Sequence, residues 1–142
     1  MPLNPEFVPI GYDIIGSAFE VMKVAGKGLK EKYYEMALTY ELIQKGHEVK
    51  CQVEIPAIYK GIEIGNSFVA DMIIDNKVLV ELKAINYLTE AESRQIITYL
   101  KLSGLKLGYL INFGAKDFKV GKTDHQYPYK QGIYRYVNGI ED

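Results

Sequence analysis

Apolar residues recur at helical spacing in three stretches of the chain. They predict one helix over residues 12–24, a second over 29–45, and a third that opens at the capping box Thr89–Glu92 and ends near Ser103. An apolar stripe runs along the second helix and comprises Leu29, Tyr33, Met36, Ala37 and Tyr40. Glu31 and Glu35, which are four residues apart, share a face of that helix.

Elsewhere the apolar period shortens to two residues, which is typical of strands. The predicted strands cover residues 48–56, 58–64, 68–74, 77–84, 105–113 and 133–137. Residues 105–113 are almost all apolar, as in a strand that is buried on both faces, whereas 133–137 predict a short edge strand. The third helix is expected to cross between two parallel strands. We therefore expect a single α/β domain over residues 1–142, with a mixed central sheet flanked by helices.

Composition and charge exclude several classes of protein but do not indicate a function. The chain has 142 residues, a usual size for one domain, and a formal net charge of −1, which argues against a large basic binding surface. No apolar run is long enough to span a membrane, and residues 1–9 do not resemble a secretory signal. The lone Cys51 excludes an internal disulfide and fits a reducing environment, so we expect a cytoplasmic protein.

Three charged residues interrupt the apolar strands in the middle of the chain. Glu81 and Lys83, two residues apart, project from the same face of their strand, and a hairpin around Asp75 would bring Asp71 beside them. Two carboxylates at one point suit a hard cation such as Mg²⁺, and the ammonium can orient a water molecule or offset developing charge. This chemistry is metal-assisted phosphodiester hydrolysis.

The same three residues also have a plainer interpretation. Glu81 and Lys83 alone fit a solvated strand face, and Asp71 fits a charge at a strand edge. Charged residues enter buried strands mainly when a function requires them, which favours the site.

The order of these residues resembles the PD-(D/E)XK nuclease superfamily, in which an acid on one core strand precedes a (D/E)-x-K triplet on the next. Glu81 and Lys83 match the triplet, and Ala70 replaces the proline that precedes the acid. Gln95 and Tyr99 are similar to a Q-x-x-x-Y signature of its RecB-like branch.

A second resemblance is more specific. Gly28, Glu31 and Tyr34 match the motif of the GxxExxY family within this superfamily, and the likeness extends from Ile14 to Asn138. The resemblance implies a restriction-endonuclease-like core and a nuclease that uses Mg²⁺ or Mn²⁺.

The resemblance also implies a role for each matching residue. Asp71 and Glu81 would bind the metal, Lys83 would be the catalytic ammonium, and Gln95 and Tyr99 would support the site. Glu31 would be a third metal ligand, with Glu35 as the alternative. A structural role for Glu31, in an ion pair with Lys27 or at the positive end of the helix dipole, remains equally open.

The expected partner is nucleic acid, in particular DNA, and a homodimer is plausible for a domain of this size. A non-catalytic module that keeps the nuclease fold and binds nucleic acid or protein is the alternative function. His47 and His125 lack partners at metal-ligand spacing and are expected at the surface, whereas Cys51 is expected in the core.

Overall fold

The computed structural model describes residues 4–65, 68–122 and 129–138. Within them the chain forms three helices, α1 (Val8–Ala25), α2 (Glu31–Gln44) and α3 (Glu90–Ser103). The strands are β1 (Val49–Ile55), β2 (Ile58–Tyr59), β3 (Ile62–Glu63), β4 (Phe68–Ile74), β5 (Val78–Lys83), β6 (Leu107–Asn112), β7 (Asp117–Val120) and β8 (Gln131–Val137). None of these helices carries an apolar stretch long enough to cross a lipid bilayer.

Six strands form one mixed sheet in the order β1-β4-β5-β6-β8-β7, and β2 and β3 form a separate hairpin. β5 and β6 run parallel with α3 between them in the chain, which confirms the predicted crossing. The predicted edge position of residues 133–137 is wrong, because β8 lies between β6 and β7. The short β7 lies in a polar, lysine-rich segment whose composition does not indicate a strand.

The sheet separates two hydrophobic cores. Val78, Val80 and Leu82 of β5 pack with α1 and α2, whereas Leu79 packs with α3. This division follows from the alternation of side chains along a strand. Helices α1 and α2 therefore cover one face and α3 covers the other, which confirms a mixed central sheet flanked by helices.

Helix α2 does not pack through the stripe that its sequence suggests. Tyr33, Met36 and Tyr40 of that stripe are exposed, and the buried side chains are those of Tyr34, Glu35, Leu38 and Leu42. The helix is apolar on more than one side, so periodicity alone does not choose the inward face. In the observed orientation, Glu35 accepts a hydrogen bond from Gln52 and the Tyr34 hydroxyl bonds to the turn before the helix.

Two residues differ from their expected environments. Cys51 is exposed rather than buried, because β1 is an edge strand of the sheet. His47 is not a free surface residue, since its side chain is only 11% exposed. His125 lies outside the described residues.

His47 links three parts of the fold. Its Nδ1 lies 2.6 Å from Asp75 Oδ2 in the turn between β4 and β5, and its Nε2 lies 2.7 Å from Asp13 Oδ2 in α1. Asp75 Oδ1 also accepts a hydrogen bond from the Glu48 N–H. Burial alone lowers the pKa of His47, but the hydrogen bonds and charges of the two carboxylates outweigh it and raise this pKa.

The His47 contacts predict a pH-dependent stability. A group whose pKa is raised by folding stabilises the fold below its unfolded pKa, about 6.5 for histidine, and the effect is lost as pH rises through the higher folded pKa. We expect His47→Gln to reduce the free energy of unfolding by about 1–2 kcal/mol at mildly acidic pH and by less at alkaline pH.

Chemical denaturation of wild type and variant across a pH series measures this difference. His125 is present in both proteins, so its titration cancels. A difference that stays constant from about pH 5 to pH 9 would mean that the imidazolium contributes nothing.

Candidate active site

The site is formed where β4 and β5 separate. Their backbone pairing runs from Ile74 and Val78 to Met72 and Val80 and then stops. Beyond it the Asp71 N–H donates to Glu81 Oε2 at 2.9 Å, and the Leu82 N–H donates to Asp71 Oδ2 at 2.8 Å. Each carboxylate therefore accepts from the backbone of the opposite strand, which brings Asp71 and Glu81 into direct contact.

A reversal of side-chain direction occurs at the same level of the sheet. Val49 of β1 packs with the α1 and α2 core, whereas Val53 packs with the α3 core. On β4, Met72 faces the first core and Ala70 the second. Residues two or four positions apart on a regular strand share a face. The pleat is therefore inverted between Val49 and Val53 on β1, and between Ala70 and Met72 on β4.

Gln52 lies at the point of inversion on β1. Its φ of 53° is in the left-handed region, which a residue with a side chain rarely adopts. The regular pairing of β1 with β4 runs on both sides of it, from Cys51 with Met72 to Val53 with Ala70. Gln52 therefore stands opposite Asp71, in a strand that sequence alternation predicts as regular.

The side chain of Gln52 connects Asp71 to helix α2. Its Nε2 donates to Glu35 Oε1 at 2.8 Å and, more weakly, to Asp71 Oδ1 at 3.4 Å. Glu35 is 5% exposed, and its other oxygen lies 3.4 Å from the Lys32 Nζ. Sequence reasoning missed Gln52, because a polar residue in an alternating edge strand gives no signal of a long-range contact.

Glu31 is the first residue of α2 and lies near Asp71 and Lys83. The residue is exposed, yet desolvation of its carboxylate raises its pKa, opposed by the charge of Lys83 and reinforced by that of Asp71. Tyr34 fixes this end of the helix. Its hydroxyl donates to the Gly26 carbonyl at 2.6 Å and accepts from the Leu29 N–H at 3.2 Å, and its ring stacks on Phe113.

The environment of Asp71 and Glu81 disfavours the ionised form of both carboxyl groups. Burial first, and then the charge of Asp71, raise the pKa of Glu81 to about 8, against the opposing effects of the Asp71 N–H and Lys83. Burial also raises the pKa of Asp71, opposed by the Leu82 N–H and Gln52. At neutral pH and without a cation, Glu81 is therefore largely protonated.

Lys83 follows at the end of β5. Its charge lowers the pKa of Glu31, Asp71 and Glu81, yet among the described residues its ammonium forms no ion pair within 4 Å. Its partner across the sheet is Asn112 of β6.

Asn112 closes the end of the sheet beside Lys83. Its Oδ1 accepts from the Ile85 and Gly114 N–H groups, each at 3.0 Å. Its buried Nδ2 has no hydrogen-bond partner in the described part of the chain. Asn112 thus fixes the backbone that follows Lys83, a role that the sequence did not indicate.

Gln95 and Tyr99 lie on α3, whose predicted capping box at Thr89 is confirmed. The Gln95 Nε2 donates to the Tyr99 hydroxyl at 3.2 Å, and the Tyr99 ring packs against Phe68 at the start of β4. In the described chain Gln95 makes no hydrogen bond to Asp71 or Glu81. Its support of the site stays a prediction.

The carboxylate oxygens of Asp71 and Glu81 suit a cation that needs few protein ligands. The described residues contain no group of three or more His, Cys, Asp or Glu side chains arranged to hold a metal, and the role of Glu31 stays a prediction. Mg²⁺ commonly uses one or two carboxylates and completes its shell with water and phosphate. Glu81 Oε1 accepts no hydrogen bond from the described residues, and Asp71 Oδ1 accepts only the long one, so both fit this requirement.

The raised pKa of Glu81 predicts that the metal-free fold is destabilised by its ionisation. The pKa is 4.5 without the fold and about 8 within it, so stability falls as pH rises from about 4.5 to 8. Glu81→Gln keeps an acceptor for the Asp71 N–H and removes the titration. We expect the variant to gain stability over wild type across this range, reaching a few kcal/mol, about 3, above pH 8.

Denaturation in the presence of a chelator measures this gain. Glu92→Gln is the matched control, because the capping box lowers the pKa of Glu92 despite partial burial. Its carboxylate stabilises the fold above its unfolded pKa and loses that effect as pH falls, so this variant should be destabilised at neutral pH. A stability difference for Glu81→Gln that does not change with pH would contradict the assignment.

Comparison with known proteins identifies a superfamily. A family model described as the PD-(D/E)XK nuclease superfamily matches residues 9–123, a segment that contains Asp71, Glu81 and Lys83. No curated protein and no solved structure matches the chain significantly. Since the matched segment is most of the chain, the protein belongs to the PD-(D/E)XK nuclease superfamily.

Proposed function

We propose that the protein is a metal-dependent nuclease that hydrolyses phosphodiester bonds of DNA or RNA. Asp71 and Glu81 are the proposed ligands of Mg²⁺ or Mn²⁺, and Lys83 is the proposed catalytic ammonium. Membership of the nuclease superfamily supports the reaction class.

The observation that carries the proposal is the part-buried contact between Asp71 and Glu81. The Asp71 N–H donates to the Glu81 carboxylate, and both side chains have a raised pKa. A divalent cation would favour the ionised form of both groups and offset their repulsion. The destabilising arrangement is thus explained by a bound cation.

Lys83 and Asn112 have proposed roles in the reaction rather than in binding the metal. A divalent cation held by Asp71 and Glu81 would supply a water molecule of lowered pKa and would offset negative charge on the phosphate. Lys83, without an ion pair in the described structure, can orient the attacking water and stabilise the charge that builds on the phosphate oxygens. Asn112 holds the backbone beside it.

We also propose membership of the GxxExxY family. The hydroxyl of Tyr34 bonds to the turn at Gly26 and Leu29, which supports a motif whose tyrosine orients the first turn of α2. That turn also carries Glu31, whose carboxylate interacts electrostatically with Lys83 and Asp71, and this supports the proposal that Glu31 acts at the metal.

DNA as the main substrate, a homodimer and a cytoplasmic location stay predictions. The exposed face of α2, formed by Tyr33, Met36, Tyr40 and Ile43, is compatible with contact between two copies.

The proposed roles predict different losses for two variants. Lys83→Ala should lower turnover by at least about 100-fold and retain metal, because the lysine acts on the water and the transition state. Asp71→Ala should lose both turnover and metal affinity, because it removes one of two carboxylates. The measurements are cleavage of single-stranded, duplex and branched DNA and RNA in Mg²⁺ or Mn²⁺, and calorimetric titration with Mn²⁺.

Two exposed residues provide matched controls. Lys101→Ala on α3 and Glu63→Ala on β3 remove one positive and one negative charge from exposed positions and should leave both measurements unchanged. Cleavage that survives Lys83→Ala and Asp71→Ala would exclude this site. Absence of both cleavage and Mn²⁺ binding in wild type would favour the non-catalytic binding module.

Glu31 is tested separately. If its carboxylate contributes to the metal, directly or through water, Glu31→Gln should weaken Mn²⁺ affinity about tenfold while the unfolding midpoint changes little. An unchanged affinity together with a lower midpoint would assign Glu31 a structural role.

A further inference from the structure

We propose that Gln52 is a positioning residue that fixes the Asp71 carboxylate and holds Glu35 away from the metal. This inference rests on the proposed function, because it assigns Asp71 a role at the cation. The inference assigns different roles to the two acids of α2. Glu31 is available to the site, whereas Glu35 anchors the Gln52 side chain by accepting its hydrogen bond.

The first argument is the backbone of Gln52. A non-glycine residue in the left-handed region is strained, and such strain persists only where the surrounding structure imposes it. Here it coincides with the pleat inversion at Gln52 and Asp71. A regular strand would keep residues 49 and 53 on one face, and the inversion sends Gln52 to a position where it reaches both β4 and α2.

The second argument is the chemistry of the bridge. The Gln52 amide nitrogen carries two protons and lies between two carboxylates, which would otherwise repel each other. Asp71 is then held from two sides, at Oδ2 by the Leu82 N–H and at Oδ1 by Gln52. Each oxygen of Asp71 therefore has a hydrogen-bond partner before any cation arrives, a strong one at Oδ2 and a weak one at Oδ1.

The third argument is the inequality of the two hydrogen bonds. The bond to Glu35 is 2.8 Å long, whereas the contact with Asp71 is 3.4 Å and correspondingly weak. The weak contact can be given up when Asp71 Oδ1 binds a cation. Glu35 keeps its hydrogen bond to Gln52, and its other oxygen lies 3.4 Å from the Lys32 Nζ, so both of its oxygens already have partners.

Gln52→Gly separates the side chain from the backbone strain. Glycine adopts the left-handed conformation without cost, so the variant should fold with an unchanged or higher unfolding midpoint. Its Mn²⁺ affinity should fall about 10–100-fold and its turnover with it, the usual effect of losing a residue that orients a metal ligand. Gln52→Met, which keeps the length of the side chain and loses both donors, should show a similar loss of Mn²⁺ affinity.

Lys60→Gly is the matched control. Lys60 also has a left-handed backbone, with a φ of 51°, but it lies in the turn between β2 and β3. Relief of strain there should leave Mn²⁺ affinity unchanged. Glu35→Gln, which still accepts from Gln52, should change the affinity by about threefold or less if Glu35 is an anchor.

The outcomes separate this inference from the function on which it rests. Wild type that binds Mn²⁺ and cleaves nucleic acid, with Gln52→Gly equal to it in affinity and turnover, would overturn the role of Gln52 alone. A loss in Glu35→Gln as large as that in Asp71→Ala would make Glu35 a ligand and overturn the anchor. Wild type with neither metal binding nor cleavage would overturn both proposals.

Discussion

Asp71 and Glu81 meet in a part-buried contact where strands β4 and β5 separate, and this contact constrains the residues around it. Asp71 and Glu81 replace backbone acceptors that the diverging strands no longer provide, so each side chain satisfies a backbone N–H of the other strand. Satisfied backbone donors make the arrangement tolerable, but the paired negative charge still opposes ionisation. A loss of stability of this kind is typical of functional sites.

The orientation of α2 is consistent with this constraint. The helix turns Glu35 inward toward Gln52, and Tyr34, Leu38 and Leu42 pack beneath it. Its more obvious apolar stripe is left at the surface. The inward face is therefore chosen by a combination of packing and hydrogen bonding to the site, rather than by hydrophobicity alone.

The hairpin of β4 and β5 is anchored at both ends. At its turn, Asp75 bonds to His47, which in turn reaches α1 through Asp13. At its open end, Asp71 is tied to Gln52 and Leu82. The site thus lies on a hairpin whose position relative to the α1 and α2 layer is fixed, as a preorganised site requires.

The sequence by itself determined the three helices, most of the strands, the mixed sheet and the parallel crossing, because these depend on local periodicity and turn residues. It also selected Asp71, Glu81 and Lys83, since charges are conspicuous in apolar strands. Only the tertiary structure decided the inward face of α2, the partners of His47, the exposure of Cys51 and the part played by Gln52. Each of these depends on contacts between residues distant in the chain, such as the 17 positions that separate Gln52 from Glu35, and such contacts leave no trace in the local pattern.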